Sequence, residues 1–191
     1  MISETRVLEV LKETGVLLQG HFLLTSGLHS DKYLQCAQVF QYPKYAAEFC
    51  QALAAAFAAE KVDLCIGPAL GGVVIAYETA RALNTRGIFA ERDQAGAMTL
   101  RRGFAINPGE KVLVLEDVVT TGGSVREVIS LVREMGGKVV GVGSIVDRSN
   151  GKVDFGVPYH ALIRFEVNTY EPNECPLCKQ GTPAVKPGSR K

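Results

Sequence analysis

Several short apolar stretches of this chain have the length and composition of buried β-strands. They lie at residues 62–67, 87–91, 111–117, 138–147 and 159–166. The first and third run into glycine-rich turns, each followed by a helical pattern of apolar residues. Strands that alternate with helices in this way predict a parallel sheet covered by helices on both faces, which is an α/β fold.

The residues before the first of these strands predict two helices with extended segments between them. Ser3 is a candidate N-cap of the first helix, and Pro43 suits the first turn of the second. The extended segments fall within residues 20–36, on either side of Ser26 and Gly27.

The composition limits the number of domains, the classes of partner and the cellular compartment that this chain can have. A chain of 191 residues suggests one domain, with room for a small appendage. The formal net charge is +1 and no block of like charge occurs, which argues against nucleic acid or an acidic membrane as the main partner. We see neither a membrane-spanning run nor a secretory signal. Five cysteines, three of them in apolar surroundings, favour a reduced, cytoplasmic protein.

Beyond Glu171 the chain is rich in Pro, Gly and Lys, and we expect a surface extension there. It contains Cys175 and Cys178 in a single CxxC motif, which is half of a structural zinc site. The pair could belong to a plain exposed tail, to a zinc site completed by dimer pairing, or to a disulfide. We expect His21 and His160 to be structural or surface residues, because no histidine has metal-ligand spacing with another.

The common nucleotide-binding motifs are not met. Gly67 and Gly72 have the glycine spacing of a P-loop, but Val73 stands where that motif needs lysine. Gly141 and Gly143 begin a dinucleotide fingerprint that lacks its third glycine. Neither an ATPase nor a dehydrogenase is supported.

The stretch that joins the third strand to its helix combines an acid pair with a phosphate-binding pattern. Glu116 and Asp117 end the strand, and Thr-Thr-Gly-Gly-Ser follows at residues 120–124. Free amides at a helix N-terminus favour a phosphate, while carboxylates accept hydrogen bonds from a diol. A ribose with a 5′-phosphate satisfies both halves. The alternative is a tight turn whose acids only face water.

Residues 112–124 resemble the phosphoribosyl-pyrophosphate (PRPP) signature of type I phosphoribosyltransferases. Two further features are similar to the orotate phosphoribosyltransferases: residues 22–33, which resemble the segment that covers the pyrimidine in that family, and Asp147 followed by Arg148. A guanidinium binds a planar carboxylate such as orotate in a fork. The alternative for Arg148 is an ordinary surface arginine at a strand end.

The resemblance implies a type I phosphoribosyltransferase-like fold, an α/β structure with a parallel sheet flanked by helices and a small N-terminal hood at roughly residues 18–40. Residues 1–170 would form the single domain, and residues 171–191 the C-terminal extension. The implied reaction transfers the 5-phosphoribosyl group from PRPP to N1 of orotate in the synthesis of UMP. Mg²⁺ is the implied cofactor, and a homodimer the implied assembly.

The same resemblance assigns roles to individual residues. The implied catalytic residues are Glu116, Asp117 and Arg92. The implied PRPP-binding residues are Glu116, Asp117, Val118, Val119, Thr120, Thr121, Gly122, Gly123, Ser124 and Arg92. The implied orotate-binding residues are Thr120, Arg148 and Tyr33. Mg²⁺ would be held mainly through PRPP, with Asp117 as the candidate protein ligand.

Some positions depart from the family pattern. Thr25 stands where better-known members have lysine, and the turn at residues 70 and 71 also lacks one. The loop at residues 93–101 lacks the usual lysine and histidine, so we expect arginines, including Arg101 and Arg102, to bind pyrophosphate, or a shorter loop to act differently. The alternatives are a purine-salvage phosphoribosyltransferase and a PRPP-sensing regulator that binds nucleic acid.

Overall fold

The computed structural model describes residues 2–24, 26–166 and 168–186, so Thr25 and residues 187–191 of the predicted extension lie outside it. The helices are α1 (Glu4–Glu13), α2 (Pro43–Ala56), α3 (Gly71–Leu83), α4 (Gly123–Glu134) and α5 (Pro176–Lys179), with 3-10 turns at Cys36–Gln41 and Ala58–Glu60. The strands are β1 (Leu17–Leu23), β2 (His29–Leu34), β3 (Leu64–Pro68), β4 (Arg86–Arg92), β5 (Met98–Thr99), β6 (Lys111–Val119), β7 (Lys138–Asp147), β8 (Tyr159–Arg164) and β9 (Thr169–Tyr170).

The main sheet has six strands in the order β5-β4-β3-β6-β7-β8, and every neighbouring pair except β4 and β5 is parallel. Side chains of β6 alternate between the two faces. Leu113 and Leu115 pack with α1 and α2, whereas Val112 and Val114 pack with α4. Both faces are therefore buried under helices, which confirms the predicted α/β architecture.

A second, antiparallel sheet of three strands forms the hood, in the order β1-β2-β9. The C-terminal segment folds back onto this sheet. The Leu23 N–H donates to the Val185 carbonyl, and the Val185 N–H donates to the His21 carbonyl, both at 2.8 Å. The division into a domain at residues 1–170 and an extension from residue 171 stays a prediction, but the described part of that extension lies on the hood.

The N-terminal helix forms as its sequence predicts. Ser3 caps α1 by accepting a hydrogen bond from the Arg6 N–H at 3.2 Å. Val7, Val10 and Leu11 lie on its buried face. Pro43 occupies the first turn of α2, where its missing N–H costs no helical hydrogen bond.

Residues 93–97, expected as part of a longer polar loop, form the tight turn of a hairpin between β4 and β5. Arg92 is opposite Met98, and the Ala97 N–H donates to the Asp93 carboxylate at 2.9 Å. Gly96 has a φ of +86°, which suits glycine. The turn is short because the Asp93 carboxylate binds the Ala97 N–H and Gly96 adopts the positive φ that a tight turn needs.

No helix in the described part of the chain combines the length and apolar character needed to cross a bilayer.

Candidate functional site

Strand order places two glycine-rich turns side by side. β3 lies between β4 and β6, so the turns that follow β3 and β6 meet at the carboxyl edge of the sheet, where such folds bind ligands. A cavity of about 710 Å³ opens at this edge. It is lined by Leu24, Ser26, Tyr33, Arg92, Glu116, Val118, Val119, Thr120, Thr121, Gly122, Gly123, Ser124, Val125, Glu127, Arg148 and Thr169.

The turn between β6 and α4 forms one wall of this cavity. Gly122 is the N-cap of α4, with a φ of +76° and no side-chain cap. A Cβ at Gly122 would lie 2.8 Å from the Phe155 ring, so only glycine fits. A Cβ at Gly123 would meet only the Thr121 hydroxyl, at 3.7 Å. The start of α4 therefore presents its backbone directly to the cavity, as an anion-binding helix terminus does.

In the acid pair at the end of β6, Glu116 is buried and Asp117 is half-buried, and the two side chains differ in direction. Glu116 is 8 % exposed and lines the cavity. Asp117 instead lies against the turn after β3, where a Cβ on Gly71 would be 2.7 Å from the Asp117 Oδ1 atom. Its carboxylate accepts a hydrogen bond from the Val118 N–H at 2.8 Å. Successive strand residues point to opposite sides, which accounts for the difference.

Burial makes both carboxylates hard to ionise. It raises the pKa of Glu116 well above its ordinary value, and the neighbouring Asp117 charge raises it further. Burial also raises the pKa of Asp117, although hydrogen bonds from Glu116 and the Val118 N–H oppose this rise. A cation or hydroxyl donors placed beside the pair would offset this cost.

Arg148 follows β7, its N–H donates to the Val119 carbonyl at 2.8 Å, and it lines the cavity together with Tyr33. Its Nε–H is buried and finds no acceptor among the described residues. The preceding Asp147 does not engage it, because that carboxylate accepts from the Ser149 hydroxyl at 2.6 Å and from the Gly151 N–H at 3.1 Å. Burial lowers the pKa of Arg148. A buried cation with an unused donor suits an anionic ligand.

Arg92 enters the cavity from the end of β4. Its guanidinium forms an ion pair with Glu127 of α4 at 2.7 Å and donates to the Gly96 carbonyl at the same distance. Arg101 and Arg102, which follow the hairpin, both lie beside Glu91 instead, at 3.8 and 3.2 Å. Of these three arginines, only Arg92 lines the cavity described above.

Comparison with known proteins agrees with this geometry. Residues 37–155 match the family described as phosphoribosyl transferase domain. The orotate phosphoribosyltransferase of Caldanaerobacter subterraneus subsp. tengcongensis is 57 % identical over 190 residues, and that of Caldicellulosiruptor bescii is 60 % identical over 190 residues. In both comparisons the alignment covers all of each chain. The chain belongs to the orotate phosphoribosyltransferase family. A crystal structure of orotate phosphoribosyltransferase from Aeropyrum pernix has a TM-score of 0.70 and 26 % identity, covering 83 % of this chain and 93 % of that one.

The family prediction and the fold prediction are thus confirmed. For an orotate phosphoribosyltransferase, the residues predicted individually from the sequence include eleven of the sixteen that line the cavity. The other five are Leu24, Ser26, Val125, Glu127 and Thr169, of which Leu24 and Ser26 belong to the predicted hood segment 22–33. Thr169 could not be predicted from the sequence, because its strand has only two residues and its partner in β2, Ser30, is far away in the sequence. Glu127 was detectable, since it lies one turn into α4 beyond the phosphate-binding pattern.

The CxxC motif singled out in the sequence lies away from the cavity of this family member. Cys175 and Cys178 sit beside His21 and His29 of the hood. The choice among exposed tail, zinc site and disulfide stays open at this point, but the sequence did not connect these two histidines with the CxxC motif.

Proposed function

We propose that the chain transfers the 5-phosphoribosyl group of PRPP to N1 of orotate, giving orotidine 5′-monophosphate and pyrophosphate in pyrimidine synthesis. The single observation that supports orotate best is the buried Arg148 Nε–H, which lacks an acceptor among the described residues and lines the same cavity as the start of α4. One cavity thus offers an anion site for a phosphate and another for a carboxylate.

The 5′-phosphate of PRPP is proposed to bind at the start of α4. The amides of residues 121–124 and the hydroxyls of Thr120, Thr121 and Ser124 supply its donors. Glu116 then accepts hydrogen bonds from the ribose diol. Because Glu116 is buried and its pKa is raised, these bonds form where water does not compete.

Mg²⁺ is proposed as the cofactor, held mainly by the pyrophosphate and ribose oxygens of PRPP. The acid pair fits this role, since two neighbouring carboxylates, one buried and one half-buried, both with raised pKa values, form an oxygen-rich donor set. Asp117 is the candidate protein ligand. When bound, Mg²⁺ offsets the negative charge of the diphosphate.

Orotate is proposed to lie between Arg148 and the hood. Arg148 binds its carboxylate in a fork, while Thr120 and Tyr33 contact the ring from the two walls. Catalysis is then mainly positioning and electrostatics. Glu116 and Asp117 stabilise the positive charge that develops on the ribose as pyrophosphate leaves. No strong base is needed, because the ring N–H of orotate is already acidic.

Arg92 is the proposed pyrophosphate ligand of this chain. Its ion pair with Glu127 holds the guanidinium at the cavity rim, with 45 % of the side chain exposed. The protein is further proposed to form a homodimer, in which the hairpin between β4 and β5 approaches the site of the second subunit. Its proposed location is the cytoplasm.

We expect Gly123→Val to weaken PRPP binding by about two orders of magnitude, since losing charge-assisted hydrogen bonds costs roughly 1.5–3 kcal/mol each. The reason is that the new side chain would stand between the phosphate and the amides, in space that is open without ligand. The melting temperature should change little. Titration calorimetry with PRPP and Mg²⁺ measures the affinity.

Gly122→Val is the contrasting variant, because its Cβ would clash with Phe155 at a positive φ and so damage the fold itself. Wild-type PRPP affinity in a well-folded Gly123→Val protein would place the phosphate elsewhere.

The proposed activity is tested by assaying the full chain with PRPP, Mg²⁺ and a panel of bases: orotate, uracil, adenine, hypoxanthine and guanine. We expect turnover with orotate far above that with any other base, only low activity with uracil, and loss of turnover without Mg²⁺. Turnover with a purine would support the salvage reaction instead. PRPP binding without turnover on any base would support a regulatory protein.

A further inference from the structure

Four side chains from opposite ends of the chain converge under the hood, outside the cavity. They are His21, His29, Cys175 and Cys178, and their ligand atoms all lie within 4.8 Å of one another. The Cys178 Sγ atom is 3.3 Å from His29 Nδ1, and the Cys175 Sγ atom is 3.5 Å from His21 Nε2. The two nitrogens are 2.8 Å apart.

The hood register places the two histidines together. His29 lies opposite Leu23 in the antiparallel pair of β1 and β2, and directly opposed residues share a face of the sheet. His21 lies where the register of this pair shifts, between Gln19 and Phe22, and its Nε2 atom is 2.8 Å from His29 Nδ1. The C-terminal segment then crosses this face and adds both cysteines of the CxxC motif.

A second contact fixes the protonation state of one imidazole. His21 Nδ1 is 2.6 Å from the Thr182 carbonyl oxygen, so Nδ1 carries the proton and donates it. The lone pair of Nε2 is then directed at the cysteines and His29. An imidazole whose second N–H donates to a backbone carbonyl is the usual arrangement of a metal-binding histidine.

These distances match a tetrahedral metal site. Zinc bonds of about 2.0–2.1 Å to nitrogen and 2.3 Å to sulfur imply nitrogen–sulfur separations of roughly 3.5 Å in a tetrahedron. The observed separations between Nε2 or Nδ1 and the sulfurs are 3.3, 3.5 and 3.8 Å. The two nitrogens, 2.8 Å apart, must separate by about half an ångström to reach the tetrahedral spacing.

We propose that His21, His29, Cys175 and Cys178 bind one structural Zn²⁺ ion that fastens the C-terminal segment to the hood. Two thiolates and two imidazoles in a tetrahedron are a donor set suited to zinc. All four positions are filled by protein, so the ion has no open site for substrate. Its role is to hold together segments that are far apart in the sequence.

The buried fraction of the cluster supports a structural role. Cys175 has no exposed surface and His21 is 4 % exposed. The backbone hydrogen bonds of Val185 to His21 and Leu23 lie next to the cluster and tie the same two segments. Zinc would add a cross-link between residues separated by about 150 positions, which restricts the unfolded chain strongly.

The first test is metal content. The full chain, produced with zinc and freed of loose metal, should contain about one zinc per chain by mass spectrometry of the elements. Cys178→Ser, at an exposed position, and His29→Gln should each lower that content at least about tenfold. His160→Gln, a histidine outside the cluster, should leave it unchanged. Metal-free wild type, or equal zinc in the Cys178→Ser and wild-type proteins, would overturn the proposal.

The second test uses Co²⁺ as a spectroscopic probe of the same site. Wild type loaded with Co²⁺ should show the visible absorption of a tetrahedral site and the near-ultraviolet band of cobalt bound by thiolate, and His29→Gln should lose both.

The melting temperature should fall by at least about 5 °C when a strong chelator removes zinc from wild type. A protein mass two daltons low, showing a Cys175–Cys178 disulfide in the purified chain, would also overturn the proposal.

Discussion

Replacing Arg148 with alanine is expected to lower kcat/KM for orotate by about three orders of magnitude, while the low activity on uracil changes little. A site built around one charged hydrogen-bonding group discriminates strongly, because its loss leaves the ligand carboxylate buried and unpaired. Uracil has no carboxylate and loses nothing comparable. Steady-state kinetics with both bases, at saturating PRPP, measure the ratio.

The structure also predicts what this variant does to stability. Burial lowers the pKa of Arg148, so the cation costs free energy in the ligand-free protein. Arg148→Ala should therefore melt at the wild-type temperature or above it. Arg148→Lys should remain poor with orotate, because an ammonium offers no planar fork. Arg164→Ala is the matched control, since this arginine ends the neighbouring strand β8 and is 72 % exposed. If the ratio of kcat/KM for orotate to that for uracil is unchanged in Arg148→Ala, Arg148 does not bind the carboxylate.

The double variant Glu116→Gln, Asp117→Asn is expected to lose about three orders of magnitude in kcat. Removing one group that stabilises transition-state charge costs about 10²–10³ in kcat, and this change removes two. Amides keep the shape and some hydrogen bonding of the carboxylates but not their charge. Single-turnover measurements with orotate, PRPP and Mg²⁺ report the chemical step. Wild-type turnover in a folded double variant would contradict the proposed role.

The same variant should have a distinctive pH dependence of stability. Both acids have raised pKa values in the folded state, so the folded protein binds their protons more tightly than the unfolded chain does. Their contribution to stability is most favourable below the unfolded pKa values of about 4 and is lost as the pH rises through the folded values. Without ligand, the double variant should gain stability over wild type as pH increases from about 4 upward.

Glu110 provides a control with the opposite sign. It lies just before β6, at the other end of the same strand. Burial alone would raise the pKa of Glu110, but hydrogen bonds from Asn107 and Arg86 lower it below its ordinary value. Glu110→Gln should therefore lower stability at neutral pH and keep the wild-type kcat. Urea denaturation of each variant from pH 4 to 9 compares the two cases.

Local patterns predicted the sheet and most of the cavity because the information lies within short stretches. The segment from Lys111 to Glu134 contains a buried strand, the turn proposed to bind phosphate and an amphipathic helix in one continuous run. The sequence also placed Glu116 and Asp117 together at the end of this strand, and the structure shows Glu116 on the cavity wall and Asp117 beside the turn after β3.

Contacts between distant segments could not be predicted in the same way. β9 has two residues without an apolar pattern, and its place beside β2 depends on how the whole chain folds. The cluster of His21 and His29 with the CxxC motif could not be predicted for the same reason. The histidines are eight positions apart, and a hairpin register rather than sequence spacing brings them together.

The hood sheet also affects how the chain folds during its synthesis. β1 and β2 are made early, but Thr169 of β9 and the bridging Val185 follow only near the end. At about 5–20 residues per second, roughly ten seconds separate the two events. A two-stranded hairpin is marginal by itself, whereas the parallel sheet can form from residues 64–164 in that interval. We expect a nascent chain to hold a complete parallel sheet, with the turn between β6 and α4 already formed, before β9 and Val185 join the hood.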